Sequence, residues 1–244
     1  MFNNWSSMIG WRGRIGLIIP ETNTVMEADF NRYAPMGVSI YATRMKRNSP
    51  ISSIEGNLEM LTYAEMAASL LVSVKADINV FGCTAASFLN GVGGDIALAK
   101  KLQKATGITT ITAATAIINA LKSLRIQKIC LITPHIHDIT VKEVDFFNKN
   151  GFEVVNYSGL GIEKTIEMGR VPPEGIYRFV IKNIVKTEAV VISCTTFRSM
   201  EIITLLEKDI GIPVVTSNQV SLWYALQHLG VSDDIDGVGR LFNS

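Results

Sequence analysis

Residues 76–84 read Ala-Asp-Ile-Asn-Val-Phe-Gly-Cys-Thr, and a run of the same character returns at 188–196 as Glu-Ala-Val-Val-Ile-Ser-Cys-Thr-Thr. Each is a short apolar stretch that ends on a cysteine followed by a hydroxyl residue. Such a run, with little polar alternation, reads as a strand buried on both faces, the habit of a parallel sheet covered by helices. Two further matches lie in the same order along the chain. Arg14–Pro20 (RIGLIIP) matches Lys128–Pro134 (KICLITP), and Thr106–Leu121 resembles Ile210–Leu226. Three ordered matches at similar offsets predict two lobes built on one plan.

The other apolar runs complete the pattern. Strands are predicted at 14–20, 38–45, 76–82, 107–112, 128–134, 152–159, 188–193 and 212–217. Helical spacing is found at 57–74, 113–124, 137–149, 173–186, 199–208 and 219–229. This alternation predicts an α/β protein of two similar parallel-sheet α/β/α lobes related by a pseudo-two-fold, with right-handed crossovers. The expected first lobe is 1–117 plus 217–244, and the second is 118–216. An active site is expected in the interlobe cleft.

Composition narrows the function classes. The chain has 244 residues, 48% of them hydrophobic, and 23 basic against 22 acidic residues give a formal net charge of +1. So apolar a chain can bury enough surface to offset its ordering entropy, which excludes a disordered protein. Without a basic excess, no nucleic-acid partner is expected. No apolar stretch approaches the ~20 residues that span a bilayer, so no membrane partner is expected either. The opening MFNNWSSMIGWRGR lacks the apolar core of a secretory signal. Three sparse cysteines, Cys83, Cys130 and Cys194, make no disulfide framework and predict a reducing, cytoplasmic setting.

The three cysteines are expected to differ in role. Cys130 sits inside KICLIT, where a free cysteine behaves as a small buried hydrophobe. Cys83 and Cys194 fall at equivalent places in the two lobes, each closing a strand and followed by hydroxyl residues that are expected to open a helix. Ligands of parallel α/β sheets sit beyond the carboxyl ends of the strands. A thiol there faces a helix N-terminus, whose dipole is expected to lower its pKa. Two such thiols would stand on opposite walls of one cleft.

Four segments then carry a family likeness: Gly16–Thr24 with Met26-Glu27; Gly82-Cys83-Thr84; Gly159–Ile162 running on to Glu167–Glu174; and Ser193-Cys194-Thr195 followed by Gly211–Gln219. Together with Gly239–Phe242 they resemble the aspartate/glutamate racemase superfamily, and within it the maleate cis-trans isomerases most. The resemblance implies two α/β lobes, an active site between them and no cofactor or metal. It implies that Cys83 adds to the double bond of a small unsaturated dicarboxylate and that Cys194 exchanges a proton from the far side. Two residues depart from the isomerase pattern: His135 stands where Tyr is usual, and Thr165 where Asn is usual.

The substrate's carboxylates need donors, and Asn23, Thr22, Thr24, Thr84, His135, Thr165 and Thr195 are the expected substrate-binding residues. With so balanced a net charge, local dipoles and helix N-termini are expected to hold the anion. The same two thiols suit a cofactor-independent Asp/Glu-type racemase, which stays open as the alternative. A related arylmalonate-type decarboxylase and a non-catalytic acid-binding protein are weaker readings. A homo-oligomer is expected, and Trp5, Met8 and Trp11 are expected to cover either a neighbouring subunit or a sheet edge. His135, His137 and Asp138 read as a strand-to-helix cap rather than a metal site. Gly91–Gly94 lacks the Lys-Ser/Thr of a phosphate loop, and Asp233–Gly237 reads as an exposed turn rather than a calcium loop.

Overall fold

Strand β1 (Gly13–Pro20) carries Ile15, Leu17, Ile18 and Ile19, all fully buried, so neither of its faces meets water. A strand of this kind belongs inside a sheet with helices on both sides. The computed structural model, which describes residues 9–243, places it so. In the first lobe β1 is followed by α1 (Met26–Tyr33), β2 (Val38–Met45), α2 (Ile54–Met60), α3 (Ala64–Ser73) and β3 (Ile78–Phe81). Then come α4 (Thr84–Phe88), α5 (Gly94–Thr106), β4 (Thr109–Thr112) and α6 (Ala113–Ser123). The second lobe runs β5 (Lys128–Thr133), α7 (His137–Lys149), β6 (Glu153–Gly159), α8 (Thr165–Met168) and α9 (Pro173–Asn183). It closes with β7 (Ala189–Ile192), α10 (Ile203–Ile210), β8 (Val214–Thr216) and α11 (Ser217–His228).

Both sheets are four-stranded and wholly parallel, with orders β2-β1-β3-β4 and β6-β5-β7-β8. The lobes are therefore duplicates strand for strand, as the internal repeat predicts. Each of the eight predicted strands is present. The central strands β1, β3, β5 and β7 are the most apolar, and the edge strands β2 and β6 are only half-buried.

Each lobe lends its last helix to the other. Leu222, Ala225 and Leu226 of α11 share an apolar cluster with Ile15, Leu17, Ile78 and Val80 of the first sheet. Ile117 and Leu121 of α6 lie in a cluster with Ile129, Leu131, Val191 and Val215 of the second sheet. The two lent helices also pack on one another. Their starts are well specified: Thr112 caps α6 by accepting from the Thr115 N–H at 3.1 Å, and Thr216 and Gln219 form a capping box on α11. The expected boundary at 117/118 falls inside α6, which is one unbroken helix.

Helices α1 and α5 lie outside the predicted helical spans. Each buries only a two-residue apolar stripe, Met26 with Phe30 and Leu98 with Leu102, too sparse to stand out as a period. The predicted 57–74 helix is broken by a 3-10 turn at Leu61–Tyr63. No described helix is long and apolar enough to cross a membrane. Trp5 and Met8 lie outside the described residues. Trp11 is half exposed and rests against Gly37 just before edge strand β2. His137 and Asp138 are exposed at the start of α7, and no cluster of metal-ligating side chains forms among the described residues.

Candidate active site

The carboxyl ends of β1, β2, β3, β5 and β7 all deliver side chains to one cavity between the lobes. From the first lobe come Thr22, Arg47, Cys83 and Thr84, joined by Ser52 and Asn57; the second supplies His135, Thr165, Met168, Cys194, Thr195 and Thr196. The cavity is small, with about 30 Å³ within reach of the centre of a water molecule. Hydrogen bonds across the lobes close it: Thr22 Oγ1 to Thr165 Oγ1 at 3.0 Å, Thr195 Oγ1 to the Gly82 carbonyl at 2.9 Å, and Thr84 Oγ1 to Ser217 Oγ at 3.0 Å. The Ser217 hydroxyl in turn accepts the Cys194 backbone N–H at 3.0 Å.

Seven of the nine predicted site residues line this cavity: Cys83, Cys194, Thr22, Thr84, His135, Thr165 and Thr195. Asn23 and Thr24 do not. Asn23 is fully buried, and its side-chain oxygen takes the Val25 and Met26 N–H groups, both at 3.0 Å, at the start of α1. Its amide donates to Thr195 Oγ1 at 3.1 Å, so it touches the cavity only through that residue. Thr24 is exposed on the turn before α1.

The thiols depart from expectation in two ways. Cys83 does precede a helix, but α4 is a single five-residue turn. Cys194 precedes no helix: Thr195–Phe197 form a turn, and the next helical segment begins at Met200. Both cysteines are buried, and desolvation outweighs the backbone N–H groups that oppose it, so both thiols are pushed up rather than down. They are not equal, however. For Cys83 the Ala86 backbone N–H and the positive charge of Arg47 oppose the desolvation. Cys194 is pushed up to about 12; its burial is opposed by the Thr196 N–H, 3.4 Å from the sulfur, and reinforced by the negative charge that Cys83 and Glu143 can carry.

Arg47 is a cavity-lining residue that sequence reading missed. It is 7% exposed. Its guanidinium donates to neutral acceptors only: the carbonyls of Ser49 (2.9 Å) and Ile51 (2.8 Å), Asn57 Oδ1 (3.1 Å) and the sulfur of Met60 (3.9 Å). Beside the dipoles expected to hold an anion, the cavity therefore also has a buried cation. A signal was present, since Arg47 lies two residues beyond the end of β2, where ligand contacts of parallel sheets gather. His135 is buried too, and neither ring nitrogen has a hydrogen-bond partner among the described residues. Burial, with Arg47 nearby, lowers it to about 4, so the ring is neutral at pH 7.

Behind Cys194, the fully buried Glu143 of α7 accepts a short hydrogen bond from the Ser193 hydroxyl, and its other oxygen has no partner. Burial, partly opposed by that bond, pushes this carboxyl up to about 8 from an ordinary 4.5. Between those values the native state keeps a proton that the unfolded chain has released, so this residue makes stability fall as pH rises through the window. Asp29, raised to about 6 by burial, acts in the same direction at the acid end, while His135 opposes both between about 4 and 6.5. Above 6.5 only Glu143 of the three still titrates. Glu143→Gln keeps an acceptor for Ser193 and cannot ionise. Its melting temperature should exceed wild type at pH 8, by a stability difference on the order of a few kcal/mol. The gap should close as pH approaches 4.5; a gap of constant size would show that Glu143 is not the titrating group.

The sequence profile of the arylmalonate decarboxylase family matches residues 15–242. The chain is 24% identical to maleate isomerase of Nocardia farcinica over 239 residues, covering 93% of this chain and 94% of that protein. Among solved structures it resembles a Cys-to-Ala variant of the maleate isomerase of Pseudomonas putida S16 with maleate, at TM-score 0.90, 22% identity, and coverage of 94% and 97%. It also resembles a Cys-to-Ser variant of the Nocardia farcinica maleate cis-trans isomerase with a covalently bound succinylcysteine intermediate. There the TM-score is 0.88, with 22% identity and coverage of 94% and 98%.

Proposed function

Because the chain belongs to the arylmalonate decarboxylase family, within the aspartate/glutamate racemase superfamily, we propose that it is a cofactor-independent cis-trans isomerase of a small unsaturated dicarboxylate such as maleate. The observation that carries this reading is the unequal thiol pair in one cavity. Cys83 lies beside Arg47, whose positive charge favours its thiolate, whereas Cys194, beside groups that can carry negative charge, is pushed up to about 12. A nucleophile needs the first state and a general acid the second.

The Cys83 thiolate adds to one alkene carbon, and the π-electron pair moves toward the adjoining carboxylate. The Cys194 thiol gives its proton to the neighbouring carbon, which yields a succinyl thioether and leaves Cys194 as a thiolate. The former double bond is now single and rotates. Cys194 then takes a proton back from that carbon, the double bond re-forms in the trans geometry, and the C–S bond breaks to return the Cys83 thiolate. No oxidant or reductant enters. The side chains of Thr22, Thr84, Thr165 and Thr195 line the cavity around the carboxylates and the developing enolate. The relative's succinylcysteine is the adduct this scheme requires.

Racemisation of an amino acid fits less well. Among the described lining residues there is one buried cation and no carboxylate, so a bound ammonium group would lack a partner. Three free, buried cysteines suit a reducing cytoplasm, and the exposed Trp11 and Met36 beside edge strand β2 suit a contact between copies of the chain. The test is proton NMR of maleate in D₂O with the purified protein. Fumarate is the expected product. Deuterium entering Cα of aspartate or glutamate, with maleate untouched, would replace this reading with the racemase.

A further inference from the structure

Two features of the cavity are left without a partner by the chemistry above. The first is the charge of Arg47. Buried cations are ordinarily paired, because an unpaired one carries a large desolvation cost. No carboxylate lies within ion-pair distance of this guanidinium among the described residues; Glu21 accepts only the Arg47 backbone N–H, at 3.1 Å. A guanidinium has five N–H groups, and the four bonds it makes here leave one on Nη2 without a partner. The second is His135, a buried ring with both nitrogens unpartnered, lining the same cavity and close enough to Arg47 to feel its charge. Buried polar groups are rarely left so, and each calls for an explanation. One ligand group answers both: an anion with two acceptor oxygens, one facing the guanidinium and the other taking an N–H from the neutral imidazole, which offers one in either tautomer.

We propose that Arg47 and His135 form a carboxylate-anchoring subsite, so that the cavity selects dicarboxylates over their half-amides. The Ser49 and Ile51 carbonyls and Asn57 fix the guanidinium plane, which leaves it oriented before the ligand arrives. An amide in place of the carboxylate removes the counter-charge and presents an N–H₂ donor to the guanidinium, which is itself a donor only. The proposal rests on the cavity being the substrate site, and not on the reaction that takes place there.

Succinate and its half-amide succinamate, neither of which has a double bond to react, probe the subsite by titration calorimetry. Wild type should bind succinate at least about 30-fold more tightly than succinamate, the scale of a lost charge-assisted hydrogen-bond pair. Arg47→Met should bring succinate down to the succinamate level, Arg47→Lys should restore part of the difference, and His135→Phe should weaken succinate several-fold. The wild-type comparison needs no variant, so it decides the matter even if Arg47→Met fails to fold. Equal affinity for the two ligands, no binding of succinate at millimolar concentration, or a folded Arg47→Met that binds succinate like wild type would overturn the subsite. If discrimination holds while maleate is not isomerised, the subsite stands and the isomerase reading falls. If maleate is isomerised without discrimination, the reverse follows.

Discussion

Cys83→Ala is expected to lose at least about 10⁴-fold in kcat/KM for maleate, the scale seen when a covalent nucleophile is removed. The other groups lining the cavity are poor substitutes: Cys194 is pushed up to about 12, and Thr84 and Thr195 offer hydroxyls that are far weaker nucleophiles, already bonded to Ser217 and the Gly82 carbonyl. Cys194→Ser should behave differently. Its slower proton exchange leaves the addition step intact and hinders elimination, so intact-protein mass spectrometry should find a fraction of the chain heavier by one maleate. The double variant should show no such gain. If Cys83→Ala keeps turnover within tenfold of wild type, or the added mass maps to another residue, the assignment of nucleophile is wrong.

The second large effect concerns thiol reactivity. Cys194, pushed up to about 12 by burial and by the charges of Cys83 and Glu143, holds very little thiolate near neutrality. At pH 8 iodoacetamide should modify it at least about a hundredfold more slowly than in the unfolded chain. Its rate should climb close to tenfold per pH unit through pH 10 without a plateau. Cys83 should react sooner and level off first, because Arg47 and the Ala86 N–H oppose its desolvation. Steric protection alone would slow both cysteines without giving them different slopes. Peptide mapping across pH separates the two cases, and a Cys194 as reactive at pH 8 as in denaturant would remove it as the protonated partner.

The layered fold was written plainly in the sequence because a strand inside a parallel sheet has no solvent face to disguise it. Runs such as GLIIP and AVVIS cannot be much else, and the repeat fixed which strand corresponds to which. Helices α1 and α5 escaped because their buried stripes are two residues wide and the rest of each is polar. The turn after Cys194 was hidden by its hydroxyls, since Thr-Thr reads equally as a helix cap or as a turn. Asn23 carried the family pattern, yet its side chain is engaged by α1 and Thr195. Arg47 was the costliest omission. One Arg in the stretch Arg44-Met45-Lys46-Arg47 looks like its surface neighbours, and only tertiary packing shows that Arg44 meets Glu27 near the surface while Arg47 turns inward.

The exchanged helices bear on how the chain acquires its structure during synthesis. When residues 1–123 have left the ribosome, the first sheet has all four strands but lacks α11, the cover for Ile15, Leu17, Ile78 and Val80. That apolar face stays open until residues 217–231 have emerged. The amino-terminal half cannot mature as a finished unit while the rest is being made, which sets it apart from domains that fold in order of emergence. A ribosome stalled late, or a chain clipped before residue 217, therefore exposes a sticky sheet in the first lobe rather than a frayed terminus in the second.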